Sequence, residues 1–334
     1  MLSAMQDQKM GGIIDHSFYT GMPLERKKMA MLSESTRREF LFQLGGLGVL
    51  FGQPQLAFGQ QPLPTRTIPG TDESLPVIGL GSSKPVLEIP TEGTEPVAAV
   101  IRMLLEHGGS LVDTSPRTPD IDAEFGRVLA EPDIRDDIFL ATKINTPSEE
   151  TGIQQLEQTE RLFGRRTIDL VQVESLRGLQ SHWPRLQEMK DSGAARYIGV
   201  TVSSYRNFDR LEAFMRTGSP DFVHVNYSVI ETRAEERILP LAQDLGMGVI
   251  INRPFMNGTY FGQVSDRELP LWAADFDCVS WAQFSLKYIL AHPAITCVLT
   301  ETTNPEHMEE NIQAGFGRVP DQATKQRMRE VFSG

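Results

Sequence analysis

Short apolar runs alternate with amphipathic stretches from residue 75 almost to the C-terminus. Three of the runs are Leu111-Val112-Asp113, Ile138-Phe139-Leu140-Ala141-Thr142-Lys143 and Ile168-Asp169-Leu170-Val171-Gln172-Val173-Glu174, and each ends on an ionisable residue. A helix-like segment separates each run from the next, which predicts parallel strands joined by crossovers. Further runs at 75–81, 195–201, 222–227, 248–253 and one ending near Thr300 bring the expected strands to eight. Helical periodicity predicts helices over 96–107, 122–131, 153–163, 183–190, 208–216, 233–245, 279–291 and 305–314, with one more over 321–332. Strict alternation of this kind predicts an α/β fold, a (β/α)8 TIM barrel with an extra C-terminal helix. The expected layout is an N-terminal extension over 1–59, a linker over 60–74 that is Pro-rich over 61–70, and the barrel over 75–334. Parallel strands of a barrel end on one face, where such folds carry their chemistry. Asp113, Lys143 and Glu174 are therefore expected at one mouth.

Composition narrows the partners. The chain has 334 residues, of which 40% are hydrophobic, enough for one large core. Its formal net charge of -12 argues against nucleic acid or an anionic membrane surface as a main partner. The two cysteines, Cys278 in an expected helix and Cys297 in an expected strand, read as buried free thiols.

Residues 33–60 have a different character. Ser35-Thr36-Arg37-Arg38-Glu39-Phe40-Leu41 precedes a Gly-rich apolar run that closes on Ala57-Phe58-Gly59. A twin arginine before a moderately hydrophobic stretch predicts a twin-arginine export signal, with cleavage before Gln60. Gly45, Gly46 and Gly48 would weaken a first helix of the fold by roughly 1 kcal/mol each. The run is short and Gly-rich for a membrane span, so no stable span is expected after cleavage. The expected destination is export to the periplasm or medium, with the export machinery as a partner.

The motifs at the strand ends resemble the aldo-keto reductase family over 75–332. Leu111-Val112-Asp113-Thr114-Ser115, Phe139-Leu140-Ala141-Thr142-Lys143, Arg196-Tyr197-Ile198-Gly199-Val200 and Asn304-Pro305-Glu306-His307-Met308-Glu309-Glu310-Asn311 resemble family motifs in the family's order. The resemblance implies carbonyl or alcohol chemistry on a small molecule, a sugar-like one included, with NADP, or NAD, supplying hydride. It implies that Asp113 and Lys143 are two members of a catalytic tetrad. The tetrad's Tyr and His positions hold Thr118 and Glu174 instead. Thr118 could only relay a proton through water. Glu174 reads either as a proton-donating acid or as a strand-end carboxylate paired with Lys143 or Arg177.

The resemblance also implies a cofactor shell of Thr201, His224, Asn252, Arg253, Thr302 and Asn311. Several of these positions are altered: Thr201-Val202 stands for Ser-Asn, His224 for Gln, Asn252 for Tyr, and Thr300-Glu301 for Pro-Gly. Arg253 reads as a phosphate or anion ligand, or as an ion-pair partner of Glu231 or Glu301. Glu301 would repel phosphate unless it points away. An ammonium paired with a carboxylate suits electrostatic stabilisation, not a Schiff base, which needs a neutral amine. His224 and Glu174 alone are too few ligands for a metal. The altered positions leave a second reading open, a barrel that binds a ligand without hydride transfer.

Overall fold

The computed structural model describes residues 61–333, so the expected export signal lies outside the described residues. Eight parallel strands close into a barrel: β3 (Ile78–Gly81), β4 (Leu111–Asp113), β5 (Phe139–Ile144), β6 (Ile168–Glu174), β7 (Ala195–Thr201), β8 (Phe222–Asn226), β9 (Gly248–Asn252) and β10 (Cys297–Thr300). β10 pairs with both β9 and β3, which leaves the barrel without a free edge.

Side chains alternate across these strands, and the two faces bury different clusters. Val112, Leu140, Val171, Ile198, Val223, Ile251 and Val298 face the surrounding helices. Their neighbours Leu111, Phe139, Ala141, Leu170, Tyr197, Phe222, Ile250, Cys297 and Leu299 fill the barrel interior. The inner face becomes polar toward the strand C-termini, at Asp113, Lys143, Gln172, His224, Asn226 and Asn252. That polar layer is the floor of the mouth.

The segment expected to be linker is folded. β1 (Thr65–Thr67) pairs antiparallel with β2 (Ser74–Pro76), and Ile68 and Leu75 from this hairpin join the interior cluster at the opposite end of the barrel. Arg66 fastens it by donating to the carbonyls of Leu290, His292 and Ile295. Three-residue strands interrupted by prolines carry too little periodicity to be read from sequence.

The crossover helices follow the expected positions with shifted ends. α3 (Glu95–Glu106) buries Val97, Val100, Ile101 and Leu104. α4 (Pro119–Leu129) begins three residues earlier than the pattern indicated, with Thr118 at its N-cap and Pro119 in its first turn. α5 (Glu149–Phe163) starts at Ser148, whose hydroxyl accepts from Thr151 N at 3.3 Å, and stops at Gly164 with φ 63°. α7 (Phe208–Gly218) and α11 (Pro305–Gln313) match expectation closely, while α6 (Leu179–Ser192) begins four residues before the expected 183 and ends two after 190. The stretch 233–245 breaks into a 3-10 turn (Arg233–Glu235) and α8 (Ile238–Asp244). Two short helices after β3, α1 (Ser83–Leu87) and α2 (Ile89–Glu92), and one after β9, α9 (Thr259–Val264), carry no clear pattern in sequence. α10 (Trp281–Leu290) starts at Ser280, so Cys278 lies in the preceding loop, not in a helix. Both cysteines are buried free thiols.

The C-terminal helix, α12 (Gln322–Glu330), is anchored by charge. Lys325 donates to Glu235 and, at 3.1 Å, to the Tyr227 hydroxyl, with its ammonium 4.5 Å from the Tyr288 ring centroid. No helix among the described residues is long and apolar enough to cross a membrane.

Candidate active site

Register sets the lateral neighbours around the mouth. Lys143 lies beside Gln172, Glu174 beside Thr201, Thr201 beside His224, and Asn226 beside Asn252. All are on the inward parity, which is why strand-end residues far apart in sequence meet here.

The floor is an ion pair. Lys143 Nζ donates to Asp113 Oδ2 and, at 2.7 Å, to the Thr114 carbonyl. Gln172 Nε2 donates to the other Asp113 oxygen at 3.1 Å. The Lys143 and Asp113 side chains are only 10% and 8% exposed, so the pair is shielded from solvent screening.

Glu174 does not pair with Lys143 or Arg177. Its Oε2 accepts from Ser115 Oγ at 3.0 Å, while Arg177 donates to the Asn145 carbonyl at 3.1 Å. Asn145 Nδ2 reaches Ser115 Oγ at 3.3 Å and the Pro116 carbonyl at 3.0 Å, which fixes the loop after β4. The backbone beyond Glu174 is strained, with Ser175 and Leu176 at φ 54° and 56°.

Thr118 does not enter the mouth. It is exposed at the start of α4, and its side chain makes no capping bond. Its neighbour Arg117 turns inward instead. Arg117 Nη1 donates to Ser115 O at 2.6 Å and Thr114 Oγ1 at 3.1 Å, and Nη2 to Ser82 O at 3.4 Å. Burial lowers its pKa, against the opposing pull of the Asp122, Asp113, Glu301 and Glu174 carboxylates. Sequence reasoning missed Arg117. The available clue was its place as the single cation between Asp113 and α4.

His224 is fully buried, and burial pulls its pKa down to about 4 despite the Asp113 carboxylate, so the ring is neutral near pH 7. Neither ring nitrogen has a hydrogen-bond partner. Three inner carboxamides share one arrangement. Gln172 Nε2 is spent on Asp113, Asn226 Nδ2 on Glu231 Oε2 at 3.3 Å, and Asn252 Nδ2 on the Val202 carbonyl at 3.1 Å. Each acceptor lacks a hydrogen to give, so the amide orientations are fixed by chemistry. Each carbonyl oxygen is left buried and unpaired.

The remaining expected residues divide. Thr201 is buried on the inner face of β7. Arg253, at φ 54°, donates to Ser203 O at 2.7 Å and to Asn257 Oδ1 at 3.1 Å, so it pairs with neither Glu231 nor Glu301. Glu301 Oε1 accepts from Lys84 N at 2.9 Å and so caps the start of α1. Thr302 Oγ1 closes a local turn by accepting from Asn304 N at 3.1 Å. Asn311 is buried on α11. Trp272 packs on Phe276 and Phe284 under the Arg327 guanidinium.

The unpaired atoms allow a test of fit for a nicotinamide. A primary carboxamide offers two N–H donors and one carbonyl acceptor. Neutral His224 offers one donor and one acceptor, and Asn252 offers an unpaired acceptor, so the hydrogen-bonding chemistry of these side chains matches that group. The β10–α11 turn carries Glu301 and no Lys or Arg over residues 300–304, which gives no charge complement to phosphate.

Comparison with known proteins agrees with the architecture. The family model for the aldo/keto reductase family matches residues 78–329. A Bacillus subtilis aldo-keto reductase is 24% identical over 189 residues, 50% of this chain and 54% of its own. An Escherichia coli NADH-specific methylglyoxal reductase is 23% identical over 155 residues, 39% of this chain and 46% of its own. The matched stretches thus span about half the length of these curated relatives. Among solved structures, a holo-form aldo-keto reductase from Bacillus halodurans has a TM-score of 0.66 at 20% identity, covering 80% of this chain and 96% of its own. One from Klebsiella pneumoniae, in complex with NADP and acetate, has a TM-score of 0.65 at 18% identity, covering 79% and 94%. At these identities the structural likeness speaks for the fold.

Proposed function

The chain belongs to the aldo/keto reductase family, and from that premise we propose a nicotinamide-dependent oxidoreductase that interconverts a carbonyl and an alcohol on a small, sugar-like substrate. The observation that carries this reading is the buried Lys143–Asp113 pair beneath a ring of unpaired, inward-facing polar atoms. NADP(H) or NAD(H), when bound, supplies the hydride. His224 and Asn252 hold its carboxamide. Thr201, Arg253, Thr302 and Asn311 are the further candidates for contacts to the nucleotide.

The chain performs the rest without a phenol. Lys143, anchored by Asp113 and the Thr114 carbonyl, places a positive charge under the reacting oxygen. Arg117 adds a second cation from the side, where the Ser82, Thr114 and Ser115 oxygens hold it. A guanidinium keeps its proton, so Arg117 polarises the carbonyl and does not protonate it. In alcohol oxidation the substrate hydroxyl gives its proton to Ser115 Oγ, whose own proton passes to the Glu174 carboxylate that it already meets at 3.0 Å, and carbonyl reduction runs the same relay in reverse. Thr118, exposed on α4, plays no part in this scheme.

The test is hydride transfer from nucleotide deuterated at the transferring position to a panel of aldehydes, ketones and aldoses. Deuterium in the product alcohol, lost in Lys143→Met, supports the reading. No transfer from either nucleotide across the panel ends it.

Export is part of the same proposal, resting on Ser35-Thr36-Arg37-Arg38-Glu39-Phe40-Leu41. Cell fractionation of a tagged chain tests it. Arg37→Lys with Arg38→Lys should retain the protein in the cytoplasm, and an unchanged distribution would sink the idea.

A further inference from the structure

A cavity of about 290 Å³ opens between the loops that follow β7 and β8, across the barrel from the Asp113–Lys143 pair. Tyr205, Phe208, Asn226, Ile230, Glu231 and Arg233 line it. The nucleotide proposal needs none of these.

Two opposite charges border this cavity, and neither is neutralised by the protein. The Arg233 guanidinium lies 3.8 Å from the Tyr205 ring centroid, and no carboxylate of the described residues comes within 4 Å of it. Stacking on Tyr205 holds the guanidinium in place and leaves its N–H donors uncommitted. Glu231, half-buried, accepts only the neutral Asn226 amide at 3.3 Å and has no cation within ion-pair distance. Its loop is braced by Ser228 Oγ, which accepts from Glu231 N at 2.9 Å. Asn226 is 2% exposed, and its Oδ1 is buried and unpaired. The inner end of the cavity therefore holds the Glu231 carboxylate, with the buried, unpaired Asn226 Oδ1 next to it. The outer end presents a cation, and Phe208 and Ile230 form apolar wall between them. The second carboxylate of the lining, Glu236, is exposed.

A separated acceptor pair and guanidinium are complementary to a molecule with an ammonium at one end and a carboxylate at the other. The volume suits one small molecule. We propose that this cavity binds a free apolar α-amino acid. Its ammonium bridges Glu231 and Asn226 Oδ1, its carboxylate meets Arg233, and its side chain lies against Phe208 and Ile230. The ammonium would satisfy an acceptor that the fold leaves unpaired.

Isothermal titration of the purified protein with L-valine, L-leucine and L-phenylalanine tests the site. Two analogues of the best binder, one lacking the carboxylate and one lacking the amine, complete the set. The expected result is a Kd below about 1 mM for at least one amino acid, with each analogue weaker by about tenfold or more. Glu231→Gln and Arg233→Gln should each weaken binding by about tenfold or more while the melting temperature holds. Should Glu231→Gln unfold, Arg233→Gln on the exposed rim carries the test alone. No heat with any of the three at about 10 mM, an analogue that binds as tightly as the parent, or full binding by Arg233→Gln overturns the proposal.

Discussion

Gln172 Nε2 donates to Asp113 Oδ1 at 3.1 Å, so the carboxylate that faces Lys143 is held from a third strand. The ion pair is thereby held in orientation as well as in charge. Asp113→Asn should destabilise the protein by about 3–5 kcal/mol, because it leaves a buried ammonium uncompensated. Asp113→Asn combined with Lys143→Met should recover much of that loss. Urea unfolding of the single and double variants measures it, and a purely additive double variant would show that the pair is not coupled.

Arg117 and Thr118 are adjacent in sequence and face opposite ways. Arg117→Ala should lower kcat by about 10²–10³, the usual consequence of losing a preorganised charge donor at a developing oxyanion. Thr118→Val should change kcat by less than about threefold, since the side chain is exposed and touches nothing in the mouth. Steady-state kinetics on a substrate from the deuterium panel distinguishes them. The reverse ranking would return the role to the Tyr position.

His224 should give the protein a pH-dependent stability. Burial sets its pKa at about 4 in the folded protein against 6.5 as the ordinary value, and His292 behaves likewise, burial being the main cause. The unfolded chain therefore takes up protons between these values while the folded one does not. Stability from each histidine is fully present above pH 6.5 and is lost as pH falls toward 4. Between pH 7 and pH 5 the loss from His224 is about 2 kcal/mol by linkage, and that from the partly exposed His292 is smaller. His224→Gln should remove more than half of the combined slope in urea midpoint against pH. An unchanged slope would place the His224 ring in contact with water.

The two thiols should be silent in the native state. Burial pushes the Cys278 thiol up to about 11 and raises Cys297 as well. Reaction with a disulfide reagent at pH 8 should be negligible until the protein unfolds, and then stoichiometric at both sites. Fast labelling of native protein would mean that the 277–280 loop opens.

The strand-end residues were legible because a parallel barrel converts position along a strand into position in space. Asp113, Lys143, Glu174, Thr201 and Asn252 each lie at or beside the end of a recognisable apolar run, His224 lies inside one, and register brings them together. Loops offered no such rule. Whether Arg117 or Thr118 turns inward depends on the path from Asp113 to Pro119, which periodicity does not encode. Glu174 was open to pairing with Lys143 or Arg177, and the choice of Ser115 rests on the separate bond from Asn145 that positions the loop after β4. The hairpin over 65–76 was hidden because three-residue strands show no period. Helix ends slipped where a cap, such as Ser148 or Thr118, lay outside the apolar stripe.

The central claim is that the mouth still admits a nicotinamide although the family's phenol is absent. Titration of purified protein with NADPH and, separately, NADH, followed by protein fluorescence, tests this most directly. The account predicts saturable quenching with a Kd below about 100 µM for at least one of them, weakened about tenfold or more in His224→Leu, which removes the ring's donor and acceptor. No saturation by either nucleotide at about 1 mM, or binding indifferent to His224→Leu, would contradict it.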